Sequence, residues 1–310
     1  MKVIVSEFMD EAALAGFGPQ VDLTYDPSLV DNREALLAAL PGAQALIVRN
    51  RTQVDQAVLD AAPDLRVVGR LGVGLDNIDM AACKARDVIV HPATGANTLS
   101  VAEYVISTTL SLLRGTYSSN DAMIAGQWPR NALIGLEASG RVMGLVGYGG
   151  IARAVADRAR ALGMTIAAYD PYLPEDDAAW AEARRCSIDE LLGLADVVSL
   201  HVPLTDETRG LIDAQAIAGM KPGAIVINTA RGGVVDEPAL AAALREGRLG
   251  GAALDVFETE PLTAEAGAVF KDVPNLILTP HIAGVTDEGN IRVSAITVEN
   301  VARELAHVPA

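Results

Sequence analysis

The stretch Val142-Met143-Gly144-Leu145-Val146-Gly147-Tyr148-Gly149-Gly150-Ile151-Ala152 constrains this chain more than any other. An apolar run of strand length enters a Gly-x-Gly-x-x-Ala turn, and a helix-length segment follows. Gly147 permits the tight turn, and Gly149 lets a phosphate approach the backbone. A small residue at Ala152 allows close packing of helix on strand, with phosphates on the helix N-terminus. Thr165–Tyr169 reads as the next strand and Asp170 ends it, 170 − 147 = 23 residues on. An acid at that place suits the ribose hydroxyls of an adenosine. Pro171-Tyr172-Leu173 brings no arginine for a 2′-phosphate, so the dinucleotide expected here is NAD.

Around this loop, strand-like runs alternate with helix-length segments almost throughout. Strands are predicted near Val3–Val5, Ala45–Val48, Val67–Gly69 and Val88–Val90, with a helix over Val54–Ala61. A long amphipathic segment runs from Thr98 to Leu113. Further strands follow near Val142–Val146, Thr165–Tyr169, Val197–Leu200, Ala224–Ile227, Ala252–Leu254 and Leu276–Leu278. Ser187-Ile188-Asp189-Glu190 is a capping box that opens a short helix. The rhythm calls for an α/β fold of two doubly wound parallel-sheet domains with helices on both faces. The last helical segment, Asp287–Leu305, can pack back onto the first domain and make it discontinuous. The expected division is 1–98 with 284–310, and 99–283, with no appended regulatory domain.

Bulk properties narrow the partners. The chain has 310 residues and a net charge of −16, which argues against nucleic acid or an anionic membrane. No run of about 18 apolar residues lacks a charge, and the N-terminus has no signal-peptide pattern. Cys83 and Cys186 form no metal or redox spacing, which fits a reducing cytoplasm, and no metal motif is present. An anionic substrate would have to be held by locally clustered arginines against the overall field.

Three polar groups follow three successive apolar runs: Arg231 after Ala224–Ile227, Glu260 after Gly251–Leu254, and His281 after Leu276–Leu278. Open α/β sheets build sites in this way, beyond the carboxyl ends of their strands. Histidine is the side chain poised to exchange a proton near neutral pH, and a carboxylate beside it orients the ring and favours its protonated form. His201, in Ser199-Leu200-His201-Val202-Pro203, also ends a strand and is the rival base; otherwise it lines the cofactor cleft through its backbone. His91 and His307 have no comparable setting.

Four blocks resemble the D-isomer-specific 2-hydroxyacid dehydrogenases: Arg70–Asn77, the loop at Gly147, Asn228–Asp236, and Pro280-His281. That resemblance covers essentially the whole chain. It implies a flavodoxin-like substrate domain and a Rossmann NAD-binding domain with the site in a cleft between them. It further implies that Arg231 binds the substrate carboxylate and polarises the keto oxygen, that His281 is the acid/base, and that Glu260 is its partner. Leu71, Gly72, Val73 and Gly74 would hold the carboxylate through backbone N–H groups. Cofactor contacts would come from Gly147, Tyr148, Gly149, Gly150, Ile151, Asp170, His201, Val202, Pro203, Thr229, Ala230, His281 and Gly284. Asp255 would meet the nicotinamide carboxamide, unless it is simply a strand-end acid. The resemblance also implies a homodimer, with Trp128 either near the contact or packed in the core.

Arg49-Asn50-Arg51-Thr52 follows the strand Ala45–Val48, and i, i+2 spacing puts both arginines on one side if that strand persists. Such a pair suits a substrate with a second anion, a sulfonate or a phosphate. Ser6–Ala13, Ile47–Thr52, Gln127–Arg130 and His281–Thr286 are similar to the branch of the family acting on (S)-sulfolactate. Naming rules rank sulfomethyl above carboxylate, so a D-arranged hydroxy carbon is labelled S in sulfolactate. D-3-phosphoglycerate is the alternative substrate, then hydroxypyruvate or glyoxylate. A non-enzymatic NAD-sensing scaffold is the remote second class.

Overall fold

The structure, a computed structural model, describes residues 1–115 and 119–306. The chain forms two compact units, Met1–Asn97 with Val285–Ala310, and Thr98–Gly284. The first contains β1 (Lys2–Val5), β2 (Asp22–Tyr25), α1 (Arg33–Ala39), β3 (Ala43–Val48), α2 (Gln56–Ala61), β4 (Val67–Arg70), α3 (Met80–Ala85) and β5 (Ile89–Pro92). The second begins with α4 (Thr98–Arg114) and α5 (Asn120–Ile124), then β6 (Val142–Val146), α6 (Gly150–Ala161), β7 (Thr165–Tyr169) and β8 (Arg184–Arg185). It continues through α7 (Ile188–Leu194), β9 (Val197–Leu200), α8 (Ala214–Gly219), β10 (Ala224–Asn228) and α9 (Glu237–Arg245). The last elements of that unit are β11 (Leu249–Leu254), α10 (Ala264–Gly267) and β12 (Leu276–Leu278). The last described element is α11 (Asp287–Ala306), which belongs to the first unit.

Both sheets are parallel throughout. Their orders are β2-β1-β3-β4-β5 and β12-β11-β10-β9-β6-β7-β8. Parallel strands covered on both faces read as near-continuous apolar runs: β6 has no polar residue, and β3, β9 and β10 have one each, Gln44, Ser199 and Asn228. In the second unit α4 and α6 cover one face, where Val101, Val105, Ala152, Val155 and Ala156 pack together with Leu145. Leu191, Ile217 and Leu240, from α7, α8 and α9, pack with Val198 and Val226 on the other. The predicted capping box is formed: Ser187 Oγ accepts from the Glu190 N–H while the Glu190 carboxylate accepts from the Ser187 N–H.

A glycine explains why the first unit takes in the C-terminal helix. A Cβ at Gly69 on β4 would stand 2.6 Å from Val301 Cγ2 and 2.8 Å from Thr297 Cγ2. Only a bare backbone lets α11 lie this close to the sheet. The Ser294 hydroxyl ties the helix to the segment after β1 by accepting from the Asp10 N–H at 2.9 Å.

The structure departs from expectation where the apolar signal is weak. β2 and β8 are edge strands with half-exposed or charged residues, so neither stands out as an apolar run. The helix predicted from Val54 starts at Gln56, because Val54 bridges to Ile78 and Asp55 caps the first turn. The strand predicted at Val88–Val90 runs instead from Ile89 to Pro92. Trp128 is 77% exposed, which overturns the reading that it fills the core. No helix among the described residues is long and apolar enough to cross a membrane, and none of their acid, histidine and cysteine side chains group as a metal site.

Candidate active site

Strand order in the second sheet reverses between β6 and β9, the point where open α/β sheets hold ligands. The glycine loop leaves β6 at that point. Gly147 has φ +84°, and a Cβ there would sit 2.6 Å from the His201 carbonyl. A Cβ on Gly149 or Gly150 would meet nothing within 4 Å among the described residues. No side chain caps α6 at Gly149, which leaves its first-turn N–H groups as an anion-binding end. Tyr148 stacks on Trp180 at 5.4 Å and is buried, so the loop presents its backbone and not its ring.

Asp170 does two jobs at this end. Its Oδ2 accepts from the Tyr148 N–H at 2.9 Å, and its Oδ1 accepts from the N–H groups of Tyr172 and Leu173. The acid thus ties the glycine loop to the turn after β7 while remaining half-exposed. At the end of β10 the Thr229 hydroxyl oxygen is buried with no hydrogen-bond partner among the described residues. An orphaned hydroxyl, a bare turn and an uncapped helix end together fit a dinucleotide.

The histidine and the carboxylate singled out in the sequence lie together in the same unit. His281 Nδ1 is 2.8 Å from Glu260 Oε2. A carboxylate only accepts, so Nδ1 carries the hydrogen and Nε2 is left for a substrate. Glu260 is held in turn by the Phe257 N–H, which donates to Oε1 at 3.0 Å. Burial pushes the Glu260 carboxyl up. The bonds from His281 and Phe257 and the charges of His281 and Arg231 outweigh it, so the group stays below the usual carboxylate range. Arg231 therefore acts electrically on the same carboxylate. Its turn is shaped by Asn228, whose amide donates to the Arg231 carbonyl and whose oxygen accepts from the Ala230 N–H. Gly232 follows, and a Cβ there would run into the Phe257 carbonyl, so the turns bearing Arg231 and Glu260 are packed backbone against backbone.

Asp255 holds the histidine's turn. It is 1% exposed, and its carboxylate accepts from the Ile282 N–H at 2.7 Å, the Ala283 N–H at 2.7 Å and the Thr279 hydroxyl at 2.6 Å. Because Thr279 gives its only hydroxyl hydrogen to Asp255, the Tyr104 hydroxyl at 2.6 Å donates to Thr279. The Asp255 carbonyl accepts from the His281 N–H at 2.8 Å, and His281 itself sits at φ +56°. Nothing in the sequence pattern singled out Asn228, Thr279 or Tyr104 as site residues; only the folded turns bring them here. Gly284 closes this segment.

His201 is a poor rival base. Burial pushes its imidazole down from 6.5 to about 4, and its Nε2 is 3.0 Å from Ser199 Oγ. A ring that stays neutral through the physiological range cannot deliver a proton in the reductive direction. Val202 lines the glycine turn: its Cγ1 lies 3.1 Å from where a Gly147 Cβ would be, and Pro203 follows it.

The first unit carries the other predicted set. The Leu71 side chain is buried in the core, and the Gly72 N–H donates to the Arg70 carbonyl at 2.8 Å. The Val73 and Gly74 N–H groups make no backbone bond among the described residues. Arg49 and Arg51 do not share a side. β3 ends at Val48, so strand alternation stops before either arginine. Arg51 turns outward to pair with Asp31, while Arg49 is half-buried and its Nη2 donates to Asn290 Oδ1 at 3.0 Å. His91 pairs with Glu304 at 3.1 Å, and His307 lies outside the described residues.

A doubly wound sheet with a phosphate-ready glycine turn, a carboxylate-oriented histidine and a neighbouring arginine defines a nicotinamide-dependent dehydrogenase. The NAD binding domain of the D-isomer specific 2-hydroxyacid dehydrogenases matches residues 106–283. The chain is 58% identical over 304 residues to the (S)-sulfolactate dehydrogenase of Chromohalobacter salexigens, covering 98% of each. It is 41% identical over 306 residues to the D-3-phosphoglycerate dehydrogenase of Mycobacterium leprae, covering 98% of this chain and 57% of that protein. Among solved structures, the TT0316 protein of Thermus thermophilus matches with a TM-score of 0.87 at 35% identity, covering 99% of this chain and 97% of that one. The chain belongs to the D-isomer-specific 2-hydroxyacid dehydrogenases and is an NAD-dependent enzyme of that class.

Replacing His281 with Asn is expected to leave NADH affinity within about twofold by fluorescence titration while turnover falls by roughly 10²–10⁴. A near-normal rate would move the base elsewhere. A second expectation concerns acid. Folded His201 titrates near 4 and the unfolded chain near 6.5, so the unfolded chain takes up the proton first. Stability from this group is complete above about 6.5 and declines as pH falls toward 4. Urea unfolding at pH 7 and pH 5 should show His201→Gln losing less stability than the parent; equal losses would contradict the buried neutral imidazole.

Proposed function

We propose that the protein interconverts (S)-sulfolactate and sulfopyruvate, with Arg49 receiving the sulfonate. What supports this reading is the half-buried arginine at the end of β3 in an otherwise acidic chain, together with the near full-length similarity to the Chromohalobacter salexigens protein. A guanidinium offers several donors to a tetrahedral anion. Burial pushes Arg49 below its ordinary pKa, with the charge of Glu7 working the other way, and a desolvated cation attracts an anion more strongly than an exposed one. Arg51, largely exposed and paired with Asp31, has the lesser part.

In the oxidative direction the hydroxyl proton of the substrate passes to Nε2 of His281 as the C–H hydride leaves. Glu260 stabilises the imidazolium that results. Arg231 holds the carboxylate and stabilises the developing carbonyl oxygen, with Val73 and Gly74 N–H groups as further carboxylate donors. NAD, when bound, would supply the hydride acceptor. In the reductive direction the protonated His281 returns its proton to the carbonyl oxygen. Asp170 takes the adenosine ribose, and Thr229, Ala230, Ile151, Val202 and Pro203 line the dinucleotide. D-3-phosphoglycerate is the second reading, favoured by the similarity to the Mycobacterium leprae protein and by the same Arg49 chemistry.

The protein works as a homodimer in the cytoplasm on this reading. Ile124, Trp128 and Ile134 are 86%, 77% and 78% exposed, three large apolar groups close together in the sequence of the second unit. A subunit contact would cover such exposed apolar side chains. Both cysteines are free and buried, as a reducing compartment allows.

Initial rates of NADH formation with (S)-sulfolactate, (R)-sulfolactate and D-3-phosphoglycerate test the substrate. The S enantiomer is expected to exceed the other two in kcat/KM by at least about tenfold, a difference of roughly 1.4 kcal/mol. Preference for phosphoglycerate would replace the sulfonate with a phosphate. Sedimentation tests the assembly: Trp128→Glu should shift the enzyme from two chains to one. A parent that already sediments as a single chain would refute the dimer.

A further inference from the structure

The strand order of the first sheet reverses between β1 and β3, so this sheet has its own ligand-holding point. Two turns leave it there, Ser6-Glu7 and Arg49–Thr52. Glu7 is 4% exposed. Its Oε1 accepts from the Arg49 N–H at 2.8 Å and the Thr52 N–H at 2.9 Å, and its Oε2 accepts from the Arg51 N–H at 3.3 Å. All three donors are main-chain groups of the turn that carries Arg49. Thr52 is held further by Ser6 Oγ, 3.1 Å from its hydroxyl, and by the Asn77 amide, which donates to its carbonyl at 2.6 Å.

We propose that Glu7 is the positioning residue for the distal-anion site: a buried carboxylate that clamps the Arg49–Thr52 turn from within so that the Arg49 guanidinium meets the second anion of the substrate. Asn290, at the start of α11, completes the arrangement by holding Nη2 of that guanidinium at 3.0 Å. The inference rests on the reading that Arg49 receives the sulfonate.

The physical need for the clamp is clear from the neighbouring geometry. β3 ends at Val48, so from Arg49 onward the turn has no ladder to hold it. A flexible turn would leave a long side chain to choose its own rotamer, and anion affinity falls with each rotamer lost on binding. A carboxylate that accepts several N–H groups removes that freedom, and its bonds are charge-assisted. Glu7 also lies close enough to Arg49 for its charge to act on the guanidinium.

The test is a kinetic comparison of Glu7→Gln, Glu7→Ala and Arg49→Ala with (S)-sulfolactate and with D-lactate, which lacks the second anion. Glu7→Ala is expected to raise KM for sulfolactate about 100-fold and Glu7→Gln about tenfold, the scale of losing bonds to a charged acceptor. On the same argument kcat should stay within about threefold, and KM for D-lactate within about twofold. A parallel rise for both substrates, or a sulfolactate KM unchanged in both Glu7 variants, would overturn the positioning role. Should Glu7→Ala not fold, the near-isosteric Glu7→Gln carries the comparison. Arg49→Ala separates the two levels of the argument. If it leaves the sulfolactate KM unchanged, the sulfonate reading fails and the role of Glu7 fails with it. If it raises that KM while the Glu7 variants do not, only the role of Glu7 is lost.

Discussion

At the carboxyl edge of a parallel sheet each strand must leave its ladder, and the first N–H groups beyond it lose their partners. An amide buried there without an acceptor costs about as much as a lost hydrogen bond. This protein meets the problem with carboxylates. Asp255 accepts from Ile282 and Ala283, Glu7 from Arg49, Arg51 and Thr52, and Asp170 from Tyr148, Tyr172 and Leu173. Glu260 accepts from Phe257 and Glu237 from Glu258. Each acid locks one turn, and these turns carry His281, Arg49, the glycine loop and Glu260 itself.

The device gives the strongly acidic composition a second meaning. A net charge of −16 reads from the sequence as a repulsive field against anionic partners. In the folded chain several of those charges face inward onto backbone N–H groups, where they build the turns that present cations and an imidazole. Glu260 shows the balance most clearly: burial raises its pKa, but the histidine, a backbone N–H and the Arg231 charge win. His201 shows the opposite outcome, because burial acts on it with no compensating carboxylate. The surroundings alone thus keep the His201 imidazole neutral.

Glycines set the tolerances of the same framework. Gly69 admits α11 to the first sheet, and Gly232 lets the Arg231 turn lie directly on the backbone before Glu260. Gly149 and Gly150 differ in kind, since among the described residues nothing lies within 4 Å of where a side chain would begin there. Close packing explains the first pair, while the second leaves the backbone of the dinucleotide turn uncovered.

The sequence by itself determined the two parallel sheets, most of their strands and the glycine loop with Asp170 after it, and it singled out His281, Glu260 and Arg231, of which the structure pairs the first two. These were legible because buried parallel strands are continuous apolar runs, and polar residues at their ends are conspicuous against them. Val142–Val146 and Val197–Leu200 fall where the pattern puts them for that reason. The edge strands β2 and β8, half-exposed or charged, carry no such contrast. Only the tertiary structure decided which way Arg49 and Arg51 face, since alternation holds within a strand and β3 stops at Val48. Only it showed that Glu7 and Asp255 are clamps. A carboxylate's role depends on which N–H groups the fold brings within about 3 Å of it, and those donors lie tens of residues away along the chain.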